Sequence, residues 1–360
     1  MLQKILLTGL ASLCLLAITA AQDATTSDSS ASKPSPTKFT GSADVYYRYD
    51  FAKTAGNNRT SFTNSHNSFE LGMASFKVEH SHGSVGLLAD VGLGKRAEDF
   101  SYTDDRTRLA IKQLNLFYTF KNGVKITAGN WATHVGYELA DAYLNRNYSM
   151  SYMFSYGPFS HTGIKLAKSF GRTGIMLGVA NPTDFKSFAG GEKYLIGQVS
   201  TVSADEKLKV WLNYQGGRFN DSSRVSQVDL VLTAALADKF SVGLNGTVAS
   251  FQFKDAEKEF GDMNNWWGTA LYLNGDPLDW LGLTLRSEYF SDTKGLNVFG
   301  GFVDGGSLVA TTLSANLKAG NLTFIPELRF EKATESIFVD ADGDVSDQTI
   351  SALFGVTYSF

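Results

Sequence analysis

Cysteine is almost missing from this chain of 360 residues, which contains only one, Cys14. That residue lies in an apolar run near the start, where Leu13 precedes it instead of the small residue of a lipoprotein cleavage site. A single cysteine forms no disulfide within the chain and supplies no cysteine-based zinc site. Small secreted domains usually need such cross-links, so we expect a fold that is large enough, or closed enough, to be stable without them.

Long apolar runs and blocks of basic charge are also missing. After residue 21 no stretch approaches the roughly 18 apolar residues of a membrane-spanning helix. The chain has 36 acidic and 32 basic residues and no basic block, which argues against nucleic acid as a partner. Proline is rare, with 6 residues, whereas there are 35 glycines and 13% aromatic residues. This composition is typical of a β protein with aromatic belts and glycine-rich turns.

The N-terminal segment has the pattern of a secretory signal peptide. A basic start is followed by an apolar run over residues 5–20 and by small residues at the end of that run. The run is short for a membrane anchor and has no basic stop-transfer flank. We predict that residues 1–21 are a signal peptide, cleaved after Ala20 or Ala21, and that its removal takes the cysteine with it. Residues 22–37 are rich in Ser, Thr, Ala and Pro, which predicts a flexible periplasmic tail.

Residues 38–360 show strand periodicity throughout and no amphipathic helix of any length. In the last segment Ile350, Phe354 and Tyr358 lie on one face, and the residues between them are mostly small or polar. The alternation changes phase near residues 74–75, which predicts a β-bulge there. The 16 segments of this kind are 39–52, 67–80, 83–93, 107–120, 123–137, 159–170, 173–181, 193–204, 206–218, 224–237, 239–254, 263–274, 279–291, 307–319, 320–333 and 348–360.

The links between these segments alternate between long and short. Tight turns such as residues 121–122, 171–172 and 275–278 follow the even segments, and polar, mostly longer links follow the odd ones. Residues 219–223 are the shortest of the long links. The alternation predicts an all-β fold, a transmembrane up-and-down antiparallel β-barrel of about 16 strands with short periplasmic turns and long outward loops. An even number of strands places both chain ends at the same rim.

A transmembrane barrel and a soluble β-sandwich both explain alternating strands. In the barrel, lipid covers the apolar faces, closure satisfies the backbone groups, and Tyr358 and Phe360 join an aromatic girdle. In a sandwich, a second sheet would cover the same faces. The signal peptide, the alternating links and the many charges on the polar faces favour the barrel, in the bacterial outer membrane. Its polar faces would then line a water-filled lumen, so their charges would need no partners.

Ten charged residues are assigned to the polar faces of the strands. Their opposite signs would create a transverse field across a wet pore, which orients polar solutes, or the charges would be hydrated and paired with one another; the two arrangements are compatible. The charges predicted to face the lumen are Asp44, Arg48, Asp50, Lys165, Lys209, Arg286, Glu288, Glu327, Arg329 and Glu331.

Residues 128–166 resemble part of a known family. An Ala-Gly strand end precedes a polar-aromatic insertion containing residues 145–149 (NRNYS), and residues 156–159 (YGPF) lead to residues 161–163 (HTG). This stretch resembles the putative β-barrel porin-2, OmpL-like family of outer-membrane porins. The resemblance implies a barrel embedded in outer-membrane lipid, through which small hydrophilic solutes or ions diffuse passively. By analogy with sixteen-stranded porins, it also implies a homotrimer.

The longest link, residues 138–158, joins the fifth and sixth predicted strands. The resemblance implies that this third outward loop folds into the lumen and narrows it, as it does in sixteen-stranded porins generally. Charged side chains at that place would filter ions by sign. The alternative is a loop that packs on the rim. The candidates for a pore constriction are Glu138, Asp141, Tyr143, Arg146 and Tyr148.

Other kinds of chemistry find weaker support in the sequence. His80 and His82 could hold a metal ion, but no carboxylate or cysteine completes a site at a suitable spacing. A phospholipase would need an ordered Ser–His pair, and nothing in the sequence places His134 beside Ser151. We therefore expect no enzyme activity, no cofactor and no metal. The alternative function is a non-conducting outer-membrane barrel whose outward loops bind a partner, through links such as 53–66, 94–106 and 292–306.

Overall fold

The computed structural model describes residues 37–104, 107–255 and 259–360. The predicted signal peptide, residues 1–21, lies outside these residues, and so does the predicted tail except for Thr37. Nearly all of the predicted barrel region is described.

Sixteen antiparallel strands form a closed barrel. Each predicted segment corresponds to one of these strands, because side-chain alternation is a local property of an extended chain that has two different faces. The strands are β1 (Lys38–Asp50), β2 (Ser68–His82), β3 (Val85–Leu93), β4 (Leu109–Thr119), β5 (Lys125–Ala132), β6 (Ser160–Phe170), β7 (Thr173–Ala180), β8 (Tyr194–Val202), β9 (Leu208–Asn220), β10 (Ser223–Ala237), β11 (Phe240–Phe253), β12 (Asn264–Leu278), β13 (Leu281–Asp292), β14 (Gly306–Ala319), β15 (Leu322–Ala333) and β18 (Gln348–Ser359), with the short strands β16 (Phe338–Val339) and β17 (Val345–Ser346) paired in a loop.

The first and last strands close the barrel. Ser42 of β1 pairs with Ser359 of β18, and the N–H of Phe360 donates to the carbonyl oxygen of Gly41 at 3.0 Å. Every barrel strand has two neighbours in the sheet, so no edge is left unpaired. This order confirms the predicted up-and-down barrel and excludes two stacked sheets.

The distribution of apolar and polar side chains in the barrel is the reverse of that in a soluble protein. Leu177, Leu195 and Phe354 are 64%, 62% and 46% exposed on the outer face. On the inner face the buried residues include polar ones such as Gln198 and Ser351. An apolar outer surface that continues around the whole wall is suited to hydrocarbon tails, which cover it without a second protein layer.

The link predicted at residues 219–223 is shorter in the structure. Strands β9 and β10 are both longer than predicted, so that only residues 221–222 connect them. Phe219 in the extended part of β9 lies 5.5 Å from the ring of Phe188, measured between centroids. This aromatic contact stabilises the longer strand.

The turn predicted at residues 275–278 is also displaced. β12 continues to Leu278, and the register with β13 shifts between Gly275 and Leu278. Pro277 lies within this irregularity, where the ladder requires no N–H donor. The connecting turn is therefore Asp279–Trp280.

A β-bulge interrupts β2 close to the predicted position. The pairing of β1 with β2 shifts by one residue, and the extra residue lies at 72–73 instead of 74–75. Gly72 in the bulge allows Asp44 to come close, because a Cβ at this position would collide with the carboxylate of Asp44. The bulge thus makes room for a charged group on the inner face.

The helices are short and lie in the links. Helix α1 (Lys95–Phe100) follows β3, whereas a 3-10 turn (Ala142–Leu144) and helix α2 (Tyr152–Ser155) lie between β5 and β6. Among the described residues no helix has both the length and the apolar character needed to cross a membrane.

Candidate functional site

The link between β5 and β6, residues 133–159, leaves the wall early and contacts the inside of the barrel; we call it the inserted segment. β5 ends at Ala132, whereas the sequence predicted a strand up to residue 137. The N–H of Gly136 donates to the carboxylate of Asp229 on β10 at 3.0 Å. Because this partner lies on the inner wall, the chain past Ala132 exchanges its strand pairing for interior contacts.

Glu138 attaches the inserted segment to β13. One carboxylate oxygen lies 2.5 Å from Nη1 of Arg286, and the other accepts the N–H of Ser151 at 2.7 Å. Arg286 is fully buried and also donates to the carbonyl oxygen of Ser149 at 2.7 Å. One wall arginine therefore holds two distant parts of the same segment.

A ladder of alternating charges continues along the wall from Arg286. Its Nε lies 3.4 Å from Glu288, whose carboxylate lies 3.2 Å from Arg329. Arg329 in turn lies 3.0 Å from Glu331. All four side chains are buried under the inserted segment, which excludes water from them. The charges of the ladder therefore pair with one another, which is the second of the two arrangements expected from the sequence, and buried charges are stable only when paired.

Two tyrosines of the inserted segment bind carboxylates of the wall. The hydroxyl of Tyr148 donates to Asp44, and its N–H donates to Glu327 at 3.0 Å. The hydroxyl of Tyr152 donates to Glu331 at 2.6 Å. Both tyrosines are fully buried. Carboxylates on β1 and β15 are thus bound by the segment, and Glu331 is bound by Arg329 of the wall as well.

Asp141 attaches the inserted segment to a different part of the wall. Its carboxylate lies 2.6 Å from Nζ of Lys112 on β4 and accepts the hydroxyl of Ser75 on β2 at 2.8 Å. Lys112 also lies 3.0 Å from Asp90 on β3. Burial opposes the charged form of Asp141, but the ammonium group of Lys112 prevails and holds the pKa of this carboxyl below its usual range. The segment therefore reaches both β13–β15 and β2–β4.

Arg146 and Tyr143 lie closer to the rim of short turns. Arg146 makes two bonds to Asp276, at 3.0 and 3.1 Å, and donates to Thr284 at 2.8 Å. Lys318 contacts the same aspartate at 3.3 Å. Burial raises the pKa of Tyr143 to about 12. Arg146 and Tyr143 line a cavity of about 400 Å³ that opens at this rim.

A family comparison matches residues 36–360 to the model described as putative beta-barrel porin-2, OmpL-like. The chain belongs to this family. The match covers the whole barrel of the porin, whereas the motifs that resemble the family lie within residues 128–166.

Solved porin structures have the same fold as this OmpL-like porin. The DcaP channel of Acinetobacter baumannii aligns with a TM-score of 0.61 and 10% identity over 90% of this chain and 97% of its own. An anion-selective porin from Comamonas acidovorans aligns with a TM-score of 0.60 and 11% identity, over 91% of this chain and 100% of its own. The trimer form of OmpT from Vibrio cholerae aligns with a TM-score of 0.56 and 10% identity, over 90% of this chain and 99% of its own. No curated protein gives a significant match. Family and fold identify the porin as a bacterial outer-membrane channel protein.

The remaining predicted site residues of the porin lie apart from the inserted segment's main contacts. Arg48 and Asp50 form a buried pair at 2.9 Å. Lys165 lies over the ring of Trp131 at 4.7 Å from its centroid. Lys209 lines the cavity at the short-turn rim.

The two aromatic residues predicted for a girdle lie on the outside of the barrel. Tyr358 and Phe360 are 40% and 59% exposed, and their ring centroids are 6.1 Å apart. The backbone of Phe360 pairs with Gly41, so these rings are held at the short-turn rim.

Among the described residues, the charged residues of the porin's interior that were missed in the sequence include Lys112, Arg96 and Asp184. Lys112 alternates with outward-facing Ile111, so its inward position could have been recognised from periodicity. Arg96 gave no such signal, because it lies in α1, where a charged residue is normally solvated. It is fully buried, 3.9 Å from Asp44 and 5.1 Å from the ring centroid of Tyr148.

Asp184 also gave no signal in the sequence, since it lies in a polar loop. It accepts the N–H groups of Phe159 and Ser160 at 2.6 and 2.7 Å and the hydroxyl of Tyr102 at 2.7 Å. Burial raises the pKa of Asp184 to about 6. It holds the end of the inserted segment to two neighbouring loops.

Proposed function

We propose that this porin lets small hydrophilic solutes and ions cross the outer membrane by passive diffusion, through an interior that residues 138–158 narrow. The attachments of these residues to separate walls, Glu138 to Arg286 and Asp141 to Lys112, support the narrowing most directly. A segment held at both sides leaves less room for a solute. Charges near such a passage act on ions by their sign.

The five constriction candidates take two roles in this proposal. Glu138, Asp141 and Tyr148 are bound by buried groups of the wall, so we assign them to positioning the segment. Tyr143 and Arg146 are partly exposed and line the cavity, so we assign them to contact with solutes. The ten charges predicted for the lumen belong to the interior in the same proposal, most of them as paired groups.

The proposal includes export and assembly. Residues 1–21 act as a cleaved signal peptide, residues 22–37 form a periplasmic tail, and residues 38–360 form the barrel. The assembly is a homotrimer, which the trimer form of a structural neighbour supports. Diffusion down a gradient requires no cofactor and no catalytic turnover, so we assign none.

Swelling of proteoliposomes in sugars of graded size tests the narrowing. The Arg286→Gln variant removes the charge that holds Glu138 and Ser149, so we expect it to admit larger sugars, and faster, than the wild type. Lys294→Gln is the matched control, because this residue is exposed in an outward loop. Heat-modifiable gel mobility confirms that each variant is folded.

Two results would contradict the proposal. Wild-type proteoliposomes that exclude even the smallest sugars would refute diffusion. A folded Arg286→Gln variant with the size limit of the wild type would refute the narrowing.

A further inference from the structure

The cavity of about 400 Å³ at the short-turn rim forms an inner vestibule. Its wall comes from β9–β12, β14, β15 and β18, and the inserted segment contributes residues such as Tyr137 and Leu144. This volume is in the range of sites that hold small organic molecules, about 300–1,000 Å³. The vestibule lies outside the buried charge ladder and is open to solvent from the rim.

The charges of the inner vestibule do not balance. At the mouth, Glu206 is next to Lys207 and Asp238 is next to Lys239, so these turns are close to neutral. Glu138 also lines the vestibule, but Arg286 neutralises it.

Around the vestibule, three cations, Arg146 of the inserted segment and Lys209 and Lys318 of the wall, face one carboxylate. Asp276 is shared by Arg146 and Lys318, at 3.0 and 3.3 Å. Among the described residues no carboxylate is paired with Lys209, which is half-buried on β9. The wall therefore has an excess of positive charge, and the low-dielectric surroundings of a cavity focus such a field.

Apolar and aromatic side chains surround these cations. Trp211, Val231 and Val242 line the vestibule on the side of Lys209. Tyr272 stacks on Tyr137, with ring centroids 4.0 Å apart, where the inserted segment meets the wall. A cation beside an apolar surface suits a molecule that has one charged end and one apolar body.

We propose that the inner vestibule binds and selects small organic anions, namely monocarboxylates with an aromatic body. The carboxylate pairs with Lys209, for which the described residues offer no carboxylate partner, while the ring packs against Trp211. The inference rests on the proposed diffusion function and names its solute class.

Reversal potentials in a salt gradient test the charge of the vestibule. We expect wild-type channels in a planar bilayer to pass chloride more readily than potassium. Lys209→Glu should lower this preference by more than about fivefold, because about fivefold is the factor for one unit charge about 4 Å away in water and this substitution changes the charge by two units. Lys294→Glu makes the same change in an outward loop and should leave the preference nearly unaltered.

Benzoate tests the organic part of the proposal. Added to both sides, it should reduce the chloride current of the wild type in a concentration-dependent way. The reduction should be lost in Lys209→Gln. Trp211→Ala should weaken the benzoate effect, because it removes the apolar surface for the ring while Lys209 stays in place.

The outcomes distinguish this inference from the proposed function. Channels that conduct but prefer potassium, or that benzoate does not affect, overturn the inference while passive diffusion stands. Lys209→Gln and Lys294→Gln channels with equal responses to benzoate also overturn it. Failure of the wild type to conduct ions or to admit uncharged sugars overturns both.

Discussion

Arg286 and Gly72 represent two ways in which single residues hold the inserted segment. Arg286 uses its planar guanidinium to bind Glu138 and two backbone carbonyls, those of Ser149 and Met150. Removing one partner from such a buried pair leaves an uncompensated charge, which typically costs about 3–5 kcal/mol. Gly72 contributes by lacking a side chain, which lets Asp44 and the hydroxyl of Tyr148 meet over the bulge.

Gly72→Ala should destabilise the barrel. The added Cβ would collide with the carboxylate of Asp44, and overpacking of this kind costs about 1–3 kcal/mol. Gly246→Ala is the control, because a Cβ at Gly246 would have no atom within 4 Å. Denaturant unfolding from detergent or lipid measures the difference. Equal free energies of unfolding for the two variants would contradict the close contact.

His134 should make the porin less stable in acid. Burial lowers the pKa of His134 to about 4, from an ordinary value of 6.5. The folded state thus favours the neutral ring, so this contribution to stability is present above about pH 6.5 and is lost as the pH falls towards about 4. The pKa difference corresponds to about 3 kcal/mol.

His134→Gln should reduce that acid dependence, since Gln can still donate to the carbonyl of Tyr214. The measurement is the free energy of unfolding at several pH values between these limits. Exposed His80→Gln should keep the acid slope of the wild type. The account of His134 fails if the slope of His134→Gln is as steep as that of the wild type.

At the scale of elements, the strands and the inserted segment differ in how far the sequence predicts them. Strand alternation is local, so all 16 barrel strands were predicted, and the bulge in β2 was placed within two residues. The inserted segment has no periodic pattern. Its place inside the barrel depends on contacts with β4, β13 and β15, which are far away in the chain.

A cysteine pair tests the position of the inserted segment. The side-chain amide nitrogen of Asn147 lies 2.7 Å from the hydroxyl of Ser314 on β14, so a short bis-methanethiosulfonate reagent should link the two thiols of the double variant Asn147→Cys, Ser314→Cys. Cys14, the only native cysteine, lies in the predicted signal peptide, so expression of residues 22–360 alone gives a background without other thiols.

The matched control pairs Asn147→Cys with Thr247→Cys, on β11, and should stay unlinked. A gel shift without reductant detects the link. If both pairs cross-linked equally, or neither did, the segment would not be held against β14 as described.

At the scale of the whole molecule, the porin has its apolar surface outside and its charges inside. The sequence predicted this inversion from the alternating faces and the pattern of short and long links. It did not predict that Arg286, Glu288, Arg329 and Glu331 form one buried ladder. That arrangement depends on the register of β13, β14 and β15, and register is set by pairing across the sheet.

The central claim is that lipid covers the apolar outside of this barrel while a water-filled passage crosses its inside. The recording of single channels from purified protein in a planar lipid bilayer tests it most directly. The account predicts stepwise increases of current, each with a reproducible conductance. A barrel that is folded by heat-modifiable gel mobility and inserts into the bilayer, yet never conducts, would contradict it.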